Sequence, residues 1–242
     1  MKTKLMLLMT GLMTLTAHAD PGAITAGFGY GNVFSNPKEI NTVIDLTNTL
    51  AGSAAPHIED AAKISLYSDY QVNDEWALGL SYATMTPWTS SVGTIGGSVF
   101  SGRLETSTTL VGLRAKYTLL KSGVFSAYLV PTLGLAFYST DYNDAVSATR
   151  TRVSASTTGI MGGLSVTGKA SLNKTIGLAV DLGYQFAKSG TLKVDSQSGT
   201  SLAPGADYIS LGNPMKLDLS GVYIAAGIEF SFDTAVASGT GK

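Results

Sequence analysis

The chain contains no cysteine, which excludes disulfides, thiolate nucleophiles and cysteine metal ligands. Charged residues are scarce, at 14% of the sequence, whereas a soluble domain usually carries about 25%. The formal net charge is −1, so no basic field favours nucleic acid as a partner. Beyond the first residues no apolar run reaches the roughly 18 residues of a transmembrane helix. Such a chain either folds in water or crosses a membrane with strands.

Residues 1–19 have the features of a secretory signal peptide. Lys2 and Lys4 form a basic start, Leu5–Leu15 form a short apolar run, and the sequence AHA at Ala17–Ala19 precedes Asp20. Cleavage before Asp20 would leave 14 basic and 17 acidic residues, a net charge of −3. No cysteine follows this site, so the sequence does not predict a lipoprotein.

Eight segments alternate between apolar and other residues at every second position, which is typical of β-strands. They are 11 to 16 residues long, longer than the usual strand of about 5–6 residues. The segments are Ile24–Phe34, Ala62–Val72, Glu75–Met85, Thr106–Leu119, Val124–Tyr138, Gly159–Leu172, Thr175–Phe186 and Leu217–Phe232. Three connections are short, with the sequences VNDE, LKSG and LNKT, and four are long and polar. This alternation indicates an outer-membrane barrel, with ten strands if a long loop contains a further hairpin.

The last segment, GVYIAAGIEFSF at Gly221–Phe232, shows how the two faces differ. Every even position is apolar, whereas the odd positions carry Gly, Tyr, Ala, Gly, Glu and Ser. In a soluble ligand-binding barrel the second face would meet water and be about a quarter to a third charged. Small residues with about one charge per strand suit the crowded interior of an eight-stranded barrel instead. We therefore predict an all-β, up-and-down antiparallel eight-stranded transmembrane barrel, with its apolar face toward lipid, short periplasmic turns and long extracellular loops.

The sequence AYLVPTLGLAFYSTDYND, at Ala127–Asp144, resembles the Pro-x-x-Gly-x-x-x-Tyr strand of the outer-membrane protein W family and related eight-stranded barrels of Gram-negative bacteria. Phe230 and Phe232 resemble the C-terminal assembly signal of such barrels, although ten residues follow Phe232 here. The resemblance implies location in the cell outer membrane, with outer-membrane lipid and the barrel assembly machinery as partners. The predicted organisation is a signal peptide at 1–19, the barrel at 20–232 and a flexible periplasmic tail at 233–242. We expect no cofactor, no metal and no nucleic acid.

Six charged residues are expected inside the barrel near its periplasmic end. Counting from the short turns gives Asp69, Lys116, Lys169 and Glu229 at one level, with Arg114 and Asp181 about one layer higher. Three cations and three anions balance, and buried charges are costly unless they are paired. We predict an ion-pair network that plugs the periplasmic half of the lumen. The alternative is a charged constriction that selects ions.

Pro131 interrupts the fifth segment, where a proline removes one hydrogen bond of the sheet. A local bulge is the simplest interpretation. The family resemblance implies another, because some relatives are thought to release hydrophobic cargo sideways through a proline-weakened wall. Gly162 and Gly168, on the neighbouring segment, would make this wall smooth. Small lipid-facing residues also permit barrels to pack together, so self-association into a homo-oligomer is a third alternative.

The first long loop contains a helix signal. Asn36 suits a helix cap, Pro37 its first position and Glu39 a capping box, and Gly52 is a stop. We expect this helix to pack on the barrel mouth, with the lipid headgroups or a neighbouring subunit as alternative contacts.

After the signal peptide the only histidine is His57, in the first loop. General-base catalysis would need a serine and an orienting carboxylate around it, and Glu59 and Asp60 are near only in sequence. No serine-hydrolase, zinc-protease or phosphate-loop motif occurs in a suitable context. The sequence favours a non-enzymatic, structural outer-membrane protein. A small channel for small or hydrophobic solutes is the alternative, and an enzyme is the weakest of the three.

Overall fold

The computed structural model describes residues 22–200, 202–210 and 213–232. The predicted signal peptide and C-terminal tail lie outside the described residues. The elements in chain order are β1 Ile24–Ser35, α1 Lys38–Ala51, β2 Asp60–Gln71, β3 Trp76–Met85, β4 Trp88–Ile95, β5 Ser98–Ser122, β6 Phe125–Val146, β7 Thr149–Ser171, β8 Ile176–Ser189, β9 Lys193–Ser198, β10 Ile209–Ser210, β11 Asn213–Pro214 and β12 Gly221–Phe232. No helix among the described residues has the length and apolarity needed to span a membrane.

Eight strands close into one antiparallel ring, in the order β1, β2, β3, β5, β6, β7, β8 and β12. β12 returns to β1 and pairs with it along its whole length, from Ile24 opposite Phe232 to Ser35 opposite Gly221. A closed ring leaves no free sheet edge, and closed barrels are the only sheets that satisfy their backbone within lipid. The predicted eight-stranded, up-and-down barrel is confirmed.

Three strands continue well beyond the ring into segments that the sequence analysis treated as loops. β5, β6 and β7 contain 25, 22 and 23 residues, whereas crossing a membrane takes about 9–11. β6 and β7 stay paired as far as Val146 and Thr149, so the predicted third long loop is wrong and is a continuous hairpin. β4 and β9 add to the outer parts of β5 and β7, so the extra hairpins leave the ring at eight strands. These extensions lack the apolar outward face that lipid requires, which is why the alternation did not reveal them.

Asparagine shapes two of the short periplasmic turns. The side-chain oxygen of Asn73 accepts hydrogen bonds from the amides two and three residues further on, at 3.0 and 2.9 Å. That of Asn173 does the same at 2.8 and 2.7 Å. Such side-chain turns fix the reversal of the chain locally, so the strands meet in one register.

The apolar side chains of the ring face outward and the small and charged ones face inward, as predicted. Leu113, Leu133 and Leu182 are 69%, 66% and 58% exposed, whereas Glu229 is fully buried. The rings of Trp76 and Tyr117 lie 4.7 Å apart at the periplasmic end of the outer face. Aromatic side chains at this level suit the boundary between lipid and water.

Helix α1 begins at Lys38, directly after Pro37, and no side chain caps it. The prediction that Asn36 caps the helix is therefore wrong. The Oδ1 atom of Asn36 instead accepts a hydrogen bond from Nδ2 of Asn41, at 2.9 Å. The predicted stop is confirmed, because Gly52 ends the helix with a left-handed φ of 57°.

Candidate functional site in the barrel lumen

Five of the six charged residues predicted inside the barrel form one chain of contacts at its periplasmic end. The Nζ atoms of Lys116 and Lys169 lie 2.8 and 2.9 Å from the two carboxylate oxygens of Glu229. The Nε atom of Arg114 lies 3.1 Å from Oδ1 of Asp69, and Lys116 Nζ lies 3.9 Å from Oδ2 of Asp69. We call these five residues the lower network. All five side chains are at most 11% exposed, so the contacts are shielded from solvent.

Tyr67, which was not among the predicted site residues, completes the lower network. The hydroxyl of Tyr67 donates a hydrogen bond to Oε1 of Glu229, at 2.9 Å. The guanidinium carbon of Arg114 lies 3.9 Å from the centre of the Tyr67 ring, a cation–π contact. Gly27 makes room for this ring, because a Cβ atom there would lie 2.1 Å from Cζ of Tyr67. Alternation alone places Tyr67 inside, but nothing in the sequence shows which charge it touches.

Asp181 lies apart from the lower network. It accepts a hydrogen bond from the hydroxyl of Thr167 and lines a cavity in the middle of the lumen. Lys63, another inward residue that the sequence analysis missed, lines the same cavity. Its Nζ atom donates to Oε1 of Gln185 at 2.8 Å and lies 3.8 Å from the centre of the Tyr223 ring. Lys63 shares the odd positions of β2 with Asp69, so the alternation did contain this signal.

The cavity lies between the lower network and a cluster of apolar side chains in the outer half of the lumen. Its volume is about 60 Å³. At roughly 10–15 Å³ for each water molecule, it has room for a few of them. Arg114 and Lys63 supply positive charge to its lining, and Asp181 supplies the one carboxylate among the lining residues. This cavity is therefore small, and its lining mixes charged and hydroxyl residues with apolar ones.

A cluster of buried apolar side chains fills the outer half of the lumen, and we call it the upper cluster. It combines Leu110 and Tyr138 from the barrel wall with Ile40 and Ile44 from α1. Met215, Leu217 and Leu219 also enter it, from the segment before β12. The prediction that the last strand begins at Leu217 is wrong, since β12 begins at Gly221. The apolar residues before this point face into the mouth, whereas those after it face outward.

The outer loops pack onto the upper cluster through hydrogen bonds as well. Asn41 accepts a hydrogen bond from the amide of Ile58 at 2.9 Å and donates one to its carbonyl at 3.0 Å, which fixes the chain returning from α1. Beyond the membrane, Tyr142 donates a hydrogen bond to Asp144 at 3.0 Å. Burial raises the pKa of Tyr142 and the neighbouring carboxylate raises it further, so the phenol stays protonated.

His57 lies on the outer surface of the first loop. Its Nε2 atom is 2.7 Å from Oδ1 of Asp45, with side chains 42% and 63% exposed. Among the described residues, His, Asp and Glu form no group of three that could hold a metal ion.

The sheet is interrupted beside Pro131. Between β5 and β6 the pairing passes from Arg114 opposite Thr132 directly to Tyr117 opposite Leu129. The two residues between them on each strand, Pro131 included, are unpaired across this seam. On its other side β6 stays paired with β7 across the proline. The missing amide of Pro131 therefore weakens the β5–β6 seam, and not the seam toward the strand that carries Gly162 and Gly168.

The remaining predicted residues lie on the outer face. The ring of Phe186 covers Gly162, where a Cβ atom would lie 2.3 Å from its Cε1. Gly168 is open, with no atom of the described residues within 4 Å of a Cβ placed there. Phe230 and Phe232 point outward at the periplasmic end of β12, where Phe232 lies opposite Ile24 of β1.

The closed ring, the apolar outer face and the charged interior define an integral outer-membrane β-barrel protein. No protein-family model matches the chain, and no curated protein matches it. Among solved structures it is similar to outer membrane protein OprG from Pseudomonas aeruginosa, with 14% identity, a TM-score of 0.48, and coverage of 90% of this chain and 99% of that one. A major outer membrane protein from Thermus thermophilus matches with 15% identity, a TM-score of 0.47 and coverage of 86% and 99%. Outer membrane protease OmpT from Escherichia coli matches with 9% identity, a TM-score of 0.45 and coverage of 91% and 99%. These likenesses concern the fold alone.

Proposed function

We propose that this protein is a non-enzymatic component of the outer membrane whose lumen is plugged, and that it serves the structure of the envelope. The observation that carries the proposal is the double closure of the lumen. The lower network joins β2, β5, β7 and β12 across the periplasmic end. The upper cluster and α1 fill the extracellular end. A hydrated ion would have to displace both layers to pass.

Conductance in a planar lipid bilayer tests the proposal. We expect the refolded protein to be silent, while a shift in gel mobility on heating shows that the barrel has folded. Opening one layer should leave the other closed. Glu229→Ser with Lys116→Ser removes the link across the lower network, and Ile40→Ser with Ile44→Ser loosens α1 above the upper cluster. Each pair should be silent, and the four substitutions together should conduct. Discrete openings in the unmodified protein would contradict the proposal.

The second candidate function is a small channel with a lateral exit for hydrophobic solutes, and the unpaired seam beside Pro131 favours it. Ala115 and Pro131 lie opposite each other in the register that continues across this seam. Because the chain has no cysteine, Ala115→Cys with Pro131→Cys would introduce a single disulfide across the β5–β6 seam. Uptake of an apolar dye by vesicles should then stop on oxidation and return on reduction.

A control disulfide between the same two strands distinguishes this exit from a general effect of crosslinking. Leu113→Cys with Leu133→Cys joins a directly paired position on the same two strands. It should leave uptake unchanged if solutes leave beside Pro131. Equal uptake in all oxidised and reduced samples would remove the lateral exit.

We propose self-association through the lipid face as a further property of the plugged barrel. The open position of Gly168 supports it, since a residue without a side chain lets another barrel approach closely. Native mass in detergent should show a larger assembly that Gly168→Leu disrupts. A covered residue such as Gly162 cannot make this contact, so the interface would centre on Gly168.

A further inference from the structure

The closed part of the barrel carries one positive charge more than negative. The inward charged side chains of its eight strands are Lys63, Arg114, Lys116 and Lys169 against Asp69, Asp181 and Glu229. The prediction from the sequence comprised three charges of each sign and did not include Lys63. Lipid surrounds this part of the chain, so an uncompensated charge inside it is costly. A negative charge bound in the lumen would compensate it.

The lower network does not provide this compensation. It holds three cations and two carboxylates, and both carboxylates already contact two cations each. Asp181, outside the network, balances one further positive charge. Lys63 contacts Gln185 and the ring of Tyr223, and Asp181, which lines the same cavity, attracts it from beyond ion-pair distance. Among the described residues the lumen thus holds four cations and three carboxylates, with Asp181 in the same cavity as Lys63.

Two cationic side chains present donors to the same cavity. The Nε atom of Arg114 lies 3.1 Å from Oδ1 of Asp69, yet it is buried and makes no hydrogen bond with the described residues. Its side chain is 7% exposed and lines the cavity. Lys63 also lines it and gives one hydrogen bond, to Gln185, of the three that an ammonium can donate. Thr132 and Ser165 also line the cavity.

We propose that a small inorganic anion of about the size of chloride binds in this cavity, between Lys63 and Arg114. The cavity volume of about 60 Å³ admits such an ion with a little water and excludes a bulky organic anion. The anion accepts hydrogen bonds from the ammonium, the guanidinium and the hydroxyls, and it balances the charge of the lumen. It also joins the lower network to the upper half of the barrel.

Refolding the protein in different salts tests the anion site. The barrel is refolded in sodium chloride or in sodium gluconate at equal ionic strength, so that the ion is present while the barrel closes. Unfolding in urea is then followed by tryptophan fluorescence. We expect a higher urea midpoint in chloride, because an ion that binds only the folded state stabilises it by mass action. Equal midpoints in the two salts would overturn the proposal.

Three variants locate the effect. Lys63→Met should lose the difference between chloride and gluconate. Gln185→Glu places a carboxylate beside Lys63, so it should replace the ion and also lose the difference while remaining folded. Lys188→Met is the matched control, because Lys188 is 63% exposed outside the lumen and contacts Asp218. It should keep the full difference. Retention of the chloride effect in a folded Lys63→Met or Gln185→Glu protein would contradict the site.

Discussion

Glu229 and Lys116 lie 2.8 Å apart across the full width of the barrel. They belong to β12 and β5, which are four strands apart in either direction around the ring. Their ion pair therefore ties opposite walls together, and Lys169 extends the tie to β7. A contact of this kind stabilises closure, whereas a contact between adjacent strands stabilises only one seam.

Removing the shared carboxylate should destabilise the barrel strongly. Glu229→Gln leaves two buried ammonium groups with no full counter-charge, which should lower the free energy of unfolding by about 3 kcal/mol. Urea unfolding of the refolded protein measures the change. Glu105→Gln is the control, since its partner Arg103 is 56% exposed and exposed pairs contribute about 0–1 kcal/mol. Similar small losses in both variants would show that the lower network adds little to stability.

A methyl group at Gly27 should displace the ring of Tyr67. Gly27→Ala would place its Cβ atom 2.1 Å from Cζ of Tyr67, a ring held between Glu229 and Arg114. We expect a loss of about 1–3 kcal/mol in the free energy of unfolding, typical of overpacking.

The matched control for this substitution is Gly168→Ala on the outer face, where no described atom lies within 4 Å of the new Cβ. It should leave the urea midpoint of the monomer in detergent unchanged, because no second barrel covers Gly168 there. If both alanine variants unfold alike, the effect comes from glycine in strands generally and not from Tyr67.

Asn41 should control the order of the loop above the mouth without affecting the barrel. Asn41→Ala removes both hydrogen bonds to Ile58, and unmade buried hydrogen bonds cost about 1–3 kcal/mol. We expect amide exchange at Ile58 to accelerate by roughly tenfold or more while the ring amides keep their protection. Thr42→Ala, which removes one exposed hydrogen bond to Lys38, should change neither. Loss of protection throughout the ring would indicate that α1 is needed for closure.

The asparagine turns should affect refolding. Asn73→Ala removes the acceptor for two backbone amides at 3.0 and 2.9 Å, and a loss of about 1 kcal/mol is expected. The gel-mobility assay during refolding into lipid vesicles should show slower folding, and Asn73→Asp should restore the rate because it keeps the acceptor oxygen. A rate that is unchanged in Asn73→Ala would mean that this turn forms after the rate-limiting step.

Much of the ring could be predicted from alternation, as the last strand shows. In β12 every even residue faces lipid and every odd residue faces the lumen, so Glu229 could be placed inside from its position alone. The outer parts of β5, β6 and β7 could not be recognised, because they stand in water and need no apolar face. Lys63 could also have been predicted inside the barrel, because it occupies an odd position of β2, as the inward residue Asp69 does.

The upper cluster could not be predicted, for a different physical reason. Leu217 and Leu219 share the odd parity of the lumen-facing residues of β12, but only the folded chain shows which apolar side chains they meet in the mouth. The contact between α1 and the barrel likewise joins residues far apart in sequence, and no local pattern encodes it. The capping role expected of Asn36 failed because Asn41 engages its side chain instead.

Local sequence patterns thus settled the eight-stranded barrel, its orientation of faces and its balance of small and charged residues within, because side chains alternate across a strand and lipid excludes charge. The tertiary structure decided which charges touch, that Lys63 and Arg114 share a cavity, that Pro131 weakens the seam toward β5, and that loops close the mouth. Those facts depend on strand stagger and on distances across the lumen, which arise only when the first and last strands meet.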